Sequence, residues 1–144
     1  MNTSAKDSFK GIRAAIVDLD GTMVDTAPDF QVAINRMRDE LNLAPLALDT
    51  IVDFVGKGSE NLMRRVLGVD FETNEVESRF NHALERYQHH YLQINGDHSE
   101  LYVGVHEGLL AMKHGGVRLA CVTNKPITFA RPVIEKKGLI DFFE

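Results

Sequence analysis

Ile12-Arg13-Ala14-Ala15-Ile16-Val17-Asp18-Leu19-Asp20-Gly21-Thr22 is the stretch on which the reading of this chain turns. The apolar, β-branched run from Ile12 to Val17, broken only at Arg13, has the pattern of a buried parallel strand covered on both faces. Two carboxylates follow it at once. Residues two apart on an extended chain project to the same side, so Asp18 and Asp20 can converge on one reacting group. One can attack while the other moves a proton. Taken alone, Asp20-Gly21 reads as an ordinary turn. A calcium loop fits worse, because its glycine belongs at the sixth position, where this chain has Met23, and because a strand precedes the loop.

Downstream the period changes from two to that of a helix. From Pro28 to about Leu43, Phe30, Ala33, Ile34, Met37 and Leu41 fall at helical spacing, with Pro28 suited to the first turn and Pro45 beyond the end. Leu48, Ile51, Val52 and Val55 mark a second, shorter helix that stops at Gly56-Lys57-Gly58. Ser59 is placed to cap a third, which runs through Leu62, Met63 and Val66 to Gly68. Asn74 with Glu77 resembles a capping box opening the longest helix, whose stripe is Val76, Phe80, Leu84, Tyr87, Tyr91 and Ile94. Four helices therefore succeed one another without a strand. The pattern then reverts: Val105, Leu109 and Met112 make a short helix, Val117 to Val122 a second buried strand, and Ile127, Ala130, Val133 and Ile134 another helix ending at Gly138.

Strand, helix and strand specify an α/β fold with a parallel sheet. The simplest organisation is a partial, Rossmann-like α/β core made of residues 1–27 and 98–144, interrupted by an all-helical cap domain over residues 28–97. In open α/β sheets, ligands bind beyond the carboxyl ends of the strands, where Asp18 and Thr123 both stand. Thr123-Asn124 precedes a helix, so a hydroxyl and free backbone amides of that turn could hold an anion; the competing reading of Thr123 is a simple helix cap.

Composition narrows the class. The chain has 144 residues, 44% of them hydrophobic, enough for one modest core with an accessory lobe. The net charge of −5 is spread without long runs, which argues against a nucleic-acid groove. Nothing approaches the roughly 18 consecutive apolar residues of a membrane span, and the polar opening Met1 to Asp7 has no signal-peptide core. A cytoplasmic location is the expectation. Cys121, the single cysteine, sits in the second strand and reads as a small core residue.

At Asp18-Leu19-Asp20-Gly21-Thr22-Met23-Val24-Asp25, and again at Val122-Thr123-Asn124-Lys125-Pro126, the chain resembles the haloacid dehalogenase superfamily. Its first motif is Asp-x-Asp-Gly-Thr, and its second is a Ser or Thr ending the next core strand. The run from Asp20 to Asp29, the helical cap after it and Val-Thr-Asn-Lys-Pro look most like the phosphoglycolate phosphatase group. The resemblance implies a phosphomonoesterase acting through an aspartyl phosphate on a small phosphorylated acid such as 2-phosphoglycolate. Asp18 would be the nucleophile and Asp20 the acid/base. Mg²⁺ would be bound by the Asp18 side chain and the Asp20 carbonyl. Thr123, with backbone amides near Leu19, Asp20 and Asn124, would hold the phosphoryl oxygens, and Gly21 would let the chain turn away close to them.

Lys57, on the break between two cap helices, could reach a substrate carboxylate; a solvated surface lysine is the competing reading. Arg64 and Arg65 read as exposed helix residues, as do His82, His89 and His90. The family's third motif, a lysine, and its fourth, an acidic pair, are not found before Glu144. Lys125 follows Thr123 too soon to be that lysine and reads as a surface residue at a helix start. The expectation is thus a truncated product or partial chain with little phosphatase activity of its own. Two strands alone leave an exposed edge, through which oligomers could form. A sugar phosphatase or phosphoglucomutase of the same superfamily, and a non-catalytic binding or assembly module, are the competing functions.

Overall fold

The computed structural model of the chain describes residues 8–144, so the polar opening Met1 to Asp7 lies outside the described residues. Two compact units result, one formed by residues up to Asp25 together with Glu100–Glu144, the other by Thr26–Ser99.

The first unit is α/β. Strand β1 (Ala14–Val17) is paired in parallel with β4 (Arg118–Cys121), in the register Ala14↔Arg118 to Val17↔Cys121. Helix α5 (Val105–His114) precedes β4 in the chain, on the crossover that parallel pairing requires, and α6 (Ile127–Lys136) follows it. Leu109 of α5, Leu119 of β4 and Ala130, Val133 and Ile134 of α6 share one core with Leu19, Met23 and Val24, against which Ala15 and Val17 pack. The alternation of a strand explains the rest: Ile16, between Ala15 and Val17, is 73% exposed. The expected strand covered on both faces is therefore covered on one. Two further strands carried no periodic signal at their two-residue length: β2 (Val24–Asp25) pairs antiparallel with β3 (Glu100–Leu101). A 3₁₀ turn, Ile140–Phe142, follows α6.

The second unit holds helices α1 (Ala27–Glu40), α2 (Leu48–Phe54), α3 (Gly58–Leu67) and α4 (Thr73–Ile94). Pro28 lies in the first turn of α1, where its missing N–H costs nothing. Ile34, Met37, Ile51, Met63, Val66 and Ala83 are wholly shielded, so the predicted stripes meet one another. The two predicted side-chain caps do not form. Ser59 falls inside α3, whose N-cap position is Lys57. Asn74 falls inside α4 behind Glu72, and Glu77 is drawn to Arg64 instead, at 2.9 Å.

Two buried polar arrangements and one at the surface hold this unit. Arg38, 1% exposed, donates to the carbonyls of Ala44 (2.6 Å) and Val66 (3.2 Å) and pairs with Asp70 at 2.8 Å. Asp29 is fully buried and accepts the backbone N–H groups of Gly96 (2.9 Å) and His98 (2.8 Å), tying the start of α1 to the segment after α4. Glu40 accepts from Arg86 at 2.7 and 2.8 Å and lies 2.8 Å from His90 Nε2. His90 is therefore a partner on the helix face, not the free surface histidine expected of it.

Candidate active site

Parallel pairing of β1 with β4 brings two chain segments out at the same sheet end. The ladder runs on one step past β4, where the Val122 N–H donates to the Val17 carbonyl at 3.0 Å. Asp18 follows the first strand and Thr123 the second by a single further residue, so the register itself makes them neighbours at the carboxyl end of the sheet.

The loop after β1 is anchored by a residue with no chemistry. Leu19 is fully buried in the core, while Asp18 before it is exposed and Asp20 after it partly so. Its carbonyl accepts the N–H groups of Thr22 (3.3 Å), Met23 (3.0 Å) and Val24 (3.1 Å), which curls the chain beneath the two carboxylates. Gly21 takes φ 73°, a conformation that side chains with a Cβ rarely adopt, and its N–H donates to the Val24 carbonyl at 2.9 Å. Asp18 Oδ1 accepts the N–H of Leu19 at 2.7 Å. The amide of Leu19, expected at a phosphate, and that of Gly21, expected to turn the chain close to one, are thus engaged within the loop. A phosphoryl oxygen would reach the Leu19 amide only by replacing the Asp18 carboxylate there.

After β4, the Thr123 hydroxyl accepts the Lys125 N–H at 3.1 Å, a local bend that turns the lysine back toward the first loop. Lys125 Nζ then donates to both oxygens of Asp20, at 3.0 and 3.3 Å, although 105 residues separate the two. Its side chain is 4% exposed, against 18% for Asp20. The expected surface lysine is therefore a nearly buried ammonium paired with one of the two carboxylates. What signals it in the sequence is the Thr-x-Lys spacing, but spacing does not say which way a four-carbon stem folds. Asn124, between them, is exposed.

The carboxylates are felt by the cysteine of β4. Burial pushes the Cys121 thiol above its ordinary range, and the negative charges of Asp18 and then Asp20 push it further. Among the described residues no group of three or more His, Cys, Asp and Glu side chains gathers as a metal cluster. The available hard donors are an exposed Asp18 carboxylate and the backbone oxygen of Asp20, the oxygen type that Mg²⁺ takes. Lys57 belongs to the helical unit, where it is exposed between Gly56 (φ 117°) and Gly58 (φ 83°) at the head of α3. No helix is long and apolar enough to cross a membrane among the described residues.

Comparison with known proteins gives the family. The model of the haloacid dehalogenase-like hydrolases matches residues 15–144. The chain belongs to this family. A phosphoglycolate phosphatase of Nitrosospira multiformis is 41% identical over 133 residues, covering 92% of this chain and 59% of its own length. An N-acetylmuramic acid 6-phosphate phosphatase of Pseudomonas aeruginosa is 34% identical over 127 residues, covering 88% of this chain and 54% of its own. Among solved structures, a predicted phosphoglycolate phosphatase from Haemophilus somnus superposes with a TM-score of 0.84 at 29% identity, over 92% of this chain and 60% of that one. The α/β unit is accordingly the Rossmann-type core of a haloacid dehalogenase-like hydrolase. The chain spans less than two thirds of the length of these relatives.

Proposed function

We propose that the protein is a phosphomonoester hydrolase whose nucleophile is Asp18 and whose acid/base is Asp20, acting on a small phosphorylated carboxylic acid, with 2-phosphoglycolate the first candidate. The observation that carries this reading is the register Val17↔Cys121, which sets two carboxylates and a hydroxyl-bearing turn side by side at one sheet end. The relatives support it, since phosphoglycolate and N-acetylmuramic acid 6-phosphate are both phosphate esters of acids.

The chemistry balances in two steps. A carboxylate oxygen of Asp18 forms a bond to phosphorus as the bond from phosphorus to the ester oxygen breaks, and Asp20 gives its proton to the departing alkoxide. Water then attacks the aspartyl phosphate while Asp20 takes its proton, which regenerates Asp18 and releases inorganic phosphate. Thr123 and the Asn124 amide would hold the phosphoryl oxygens as charge moves among them. Mg²⁺, held by Asp18 and the Asp20 carbonyl, would offset the repulsion between an anionic nucleophile and an anionic substrate. With two oxygen donors in this chain, the expected turnover of residues 1–144 alone is low. The helical unit serves in this reading as the cap, with Lys57 a candidate for the substrate carboxylate.

The test joins residues 1–144 to the remaining segment of the Nitrosospira multiformis phosphatase and follows phosphate released from 2-phosphoglycolate with Mg²⁺. Asp18→Asn should lower turnover by ~10³-fold or more, the scale expected when a nucleophile is lost. Turnover untouched by Asp18→Asn would rule the assignment out. A substrate panel including sugar phosphates separates 2-phosphoglycolate from the sugar-phosphatase alternative.

A further inference from the structure

Lys125 lies outside the roles assigned above, and its surroundings are unusual for a lysine. Its side chain is 4% exposed, yet it carries an ammonium that burial disfavours unless a partner compensates. A pair of this kind is weak evidence for stability, because desolvating both charges offsets much of their attraction. What it supplies is geometry. The ammonium spans both oxygens of Asp20, at 3.0 and 3.3 Å, and so fixes the rotation of the carboxylate plane as well as its position. A carboxyl group has more sites than the two that face the lysine, so the edge turned away from it stays open to carry the proton that Asp20 gives to the leaving group. The lysine is held in turn from its own backbone, since its N–H is bonded to the Thr123 hydroxyl at 3.1 Å. Thr123 and Asp20 are thereby linked through one residue, the phosphate-grip candidate to the acid/base candidate.

We infer that Lys125 is a positioning residue that aims the Asp20 carboxylate at the ester oxygen of the substrate. This rests on the phosphatase reading of Asp18 and Asp20. It predicts a dependence on the leaving group. An alkoxide must receive a proton as it departs, whereas p-nitrophenolate leaves unprotonated, so misplacing Asp20 penalises the alkyl ester more. The quantity to compare is kcat/KM, which stops at phosphoryl transfer and is blind to the later attack of water.

The experiment has two measurements on the Lys125→Met and Lys125→Arg variants. In crystal structures of the 144-residue chain, the Asp20 carboxylate should leave its wild-type place in the methionine variant and keep it in the arginine variant, with the rest of the core superposable. An unmoved Asp20 in Lys125→Met overturns the inference. In the fused protein, Lys125→Met should lower kcat/KM for 2-phosphoglycolate by ~10- to 100-fold, within the range that general acid catalysis supplies. The fall for p-nitrophenyl phosphate should be several-fold smaller, and Lys125→Arg should restore much of the loss. Equal losses on the two esters would mean a structural lysine and overturn the inference. If the wild-type fusion hydrolyses neither ester, the phosphatase reading falls and the acid/base part of the inference with it, whereas a failure confined to the lysine leaves Asp18→Asn fully inactivating.

Discussion

In the helical unit Ile34, Met37, Ile51, Met63, Val66 and Leu67 are fully shielded, whereas in the α/β unit Ile16 is 73%, Val122 57% and Ile12 50% exposed. The helical unit has exposed apolar residues too, Leu92 at 60% and Val52 at 51%, and the α/β unit shields Leu19, Val24 and Val133 fully, so the contrast lies on one face of the strand pair. A helix satisfies its backbone internally and needs only a stripe from each neighbour, which four consecutive helices provide. A parallel sheet is shielded by layers on both faces, and among the described residues β1 has one strand beside it and one packed face. The chemistry-bearing loops grow from the less shielded region. Their order comes from single anchors such as Leu19 and from the bond of Lys125 to Asp20.

The sharpest way to break the comparison is to truncate one apolar residue in each unit. Met63→Ala removes a wholly buried side chain and should cost about 2–5 kcal/mol in urea unfolding. Ile16→Ala removes a side chain that is 73% exposed and should cost about 0.5 kcal/mol or less. Equal costs would mean that the open face of the sheet is covered in solution. Next in size, Asp29→Ala should cost about 2 kcal/mol, because it strands the buried Gly96 N–H and removes the acceptor of His98. Asp29→Asn, which keeps an acceptor oxygen, should cost less. Identical costs for the two would show that the amide bonds are not what the buried carboxylate contributes.

How much of this was legible in the sequence divides along the same line. Stripes such as Phe30, Ala33, Ile34 and Met37 announce their helices, because the helical period is local. The strand from Ala14 to Val17 and its aspartates are legible for the same reason, and the Asp-x-Asp-Gly-Thr motif with Thr123 points to the family. Long-range facts were not legible. Whether Ile16 meets a second layer, whether Glu77 turns to cap α4 or reaches Arg64, and whether Lys125 faces solvent or Asp20 are settled by residues far away in the chain. The pairs β2 and β3 are too short for any period to show.

A smaller effect probes the surface of the helical unit. Hydrogen bonds from Arg86 and then from His90 lower the Glu40 carboxyl to about 2. Because the folded value lies below the ordinary 4.5, the stabilisation is present above about pH 4.5 and is lost as the pH falls toward 2. The difference in Tm between wild type and Glu40→Gln should therefore hold level near neutrality and shrink through that acid window. It should also shrink with added salt, since the group is exposed. A difference that stayed constant down to pH 2 would mean that the Arg86 and His90 bonds do not act on the folded state.

The smallest expected effect returns to the loops of the α/β unit, where Cys121 can report on charges that kinetics sees only indirectly. Burial, then Asp18, then Asp20 hold its thiol above the ordinary range. Only the thiolate reacts with an alkylating reagent, so the rate near pH 8 measures how far that elevation goes. Replacing Asp18 by Asn removes a negative charge without removing the side chain, which must lower the thiol pKa and speed alkylation. Asp20→Asn should act in the same sense but less, both because its contribution is the smaller and because Lys125 already offsets its charge. Lys125→Met works the other way: with the ammonium gone, the Asp20 charge is unopposed and the thiol should react more slowly. Opposite signs from two substitutions at one ion pair are difficult to produce by loosening the fold, since loosening exposes Cys121 and speeds both reactions. Faster alkylation in all three variants would therefore mean that the loops are held by packing on Leu19 alone and that the charges contribute little to their order.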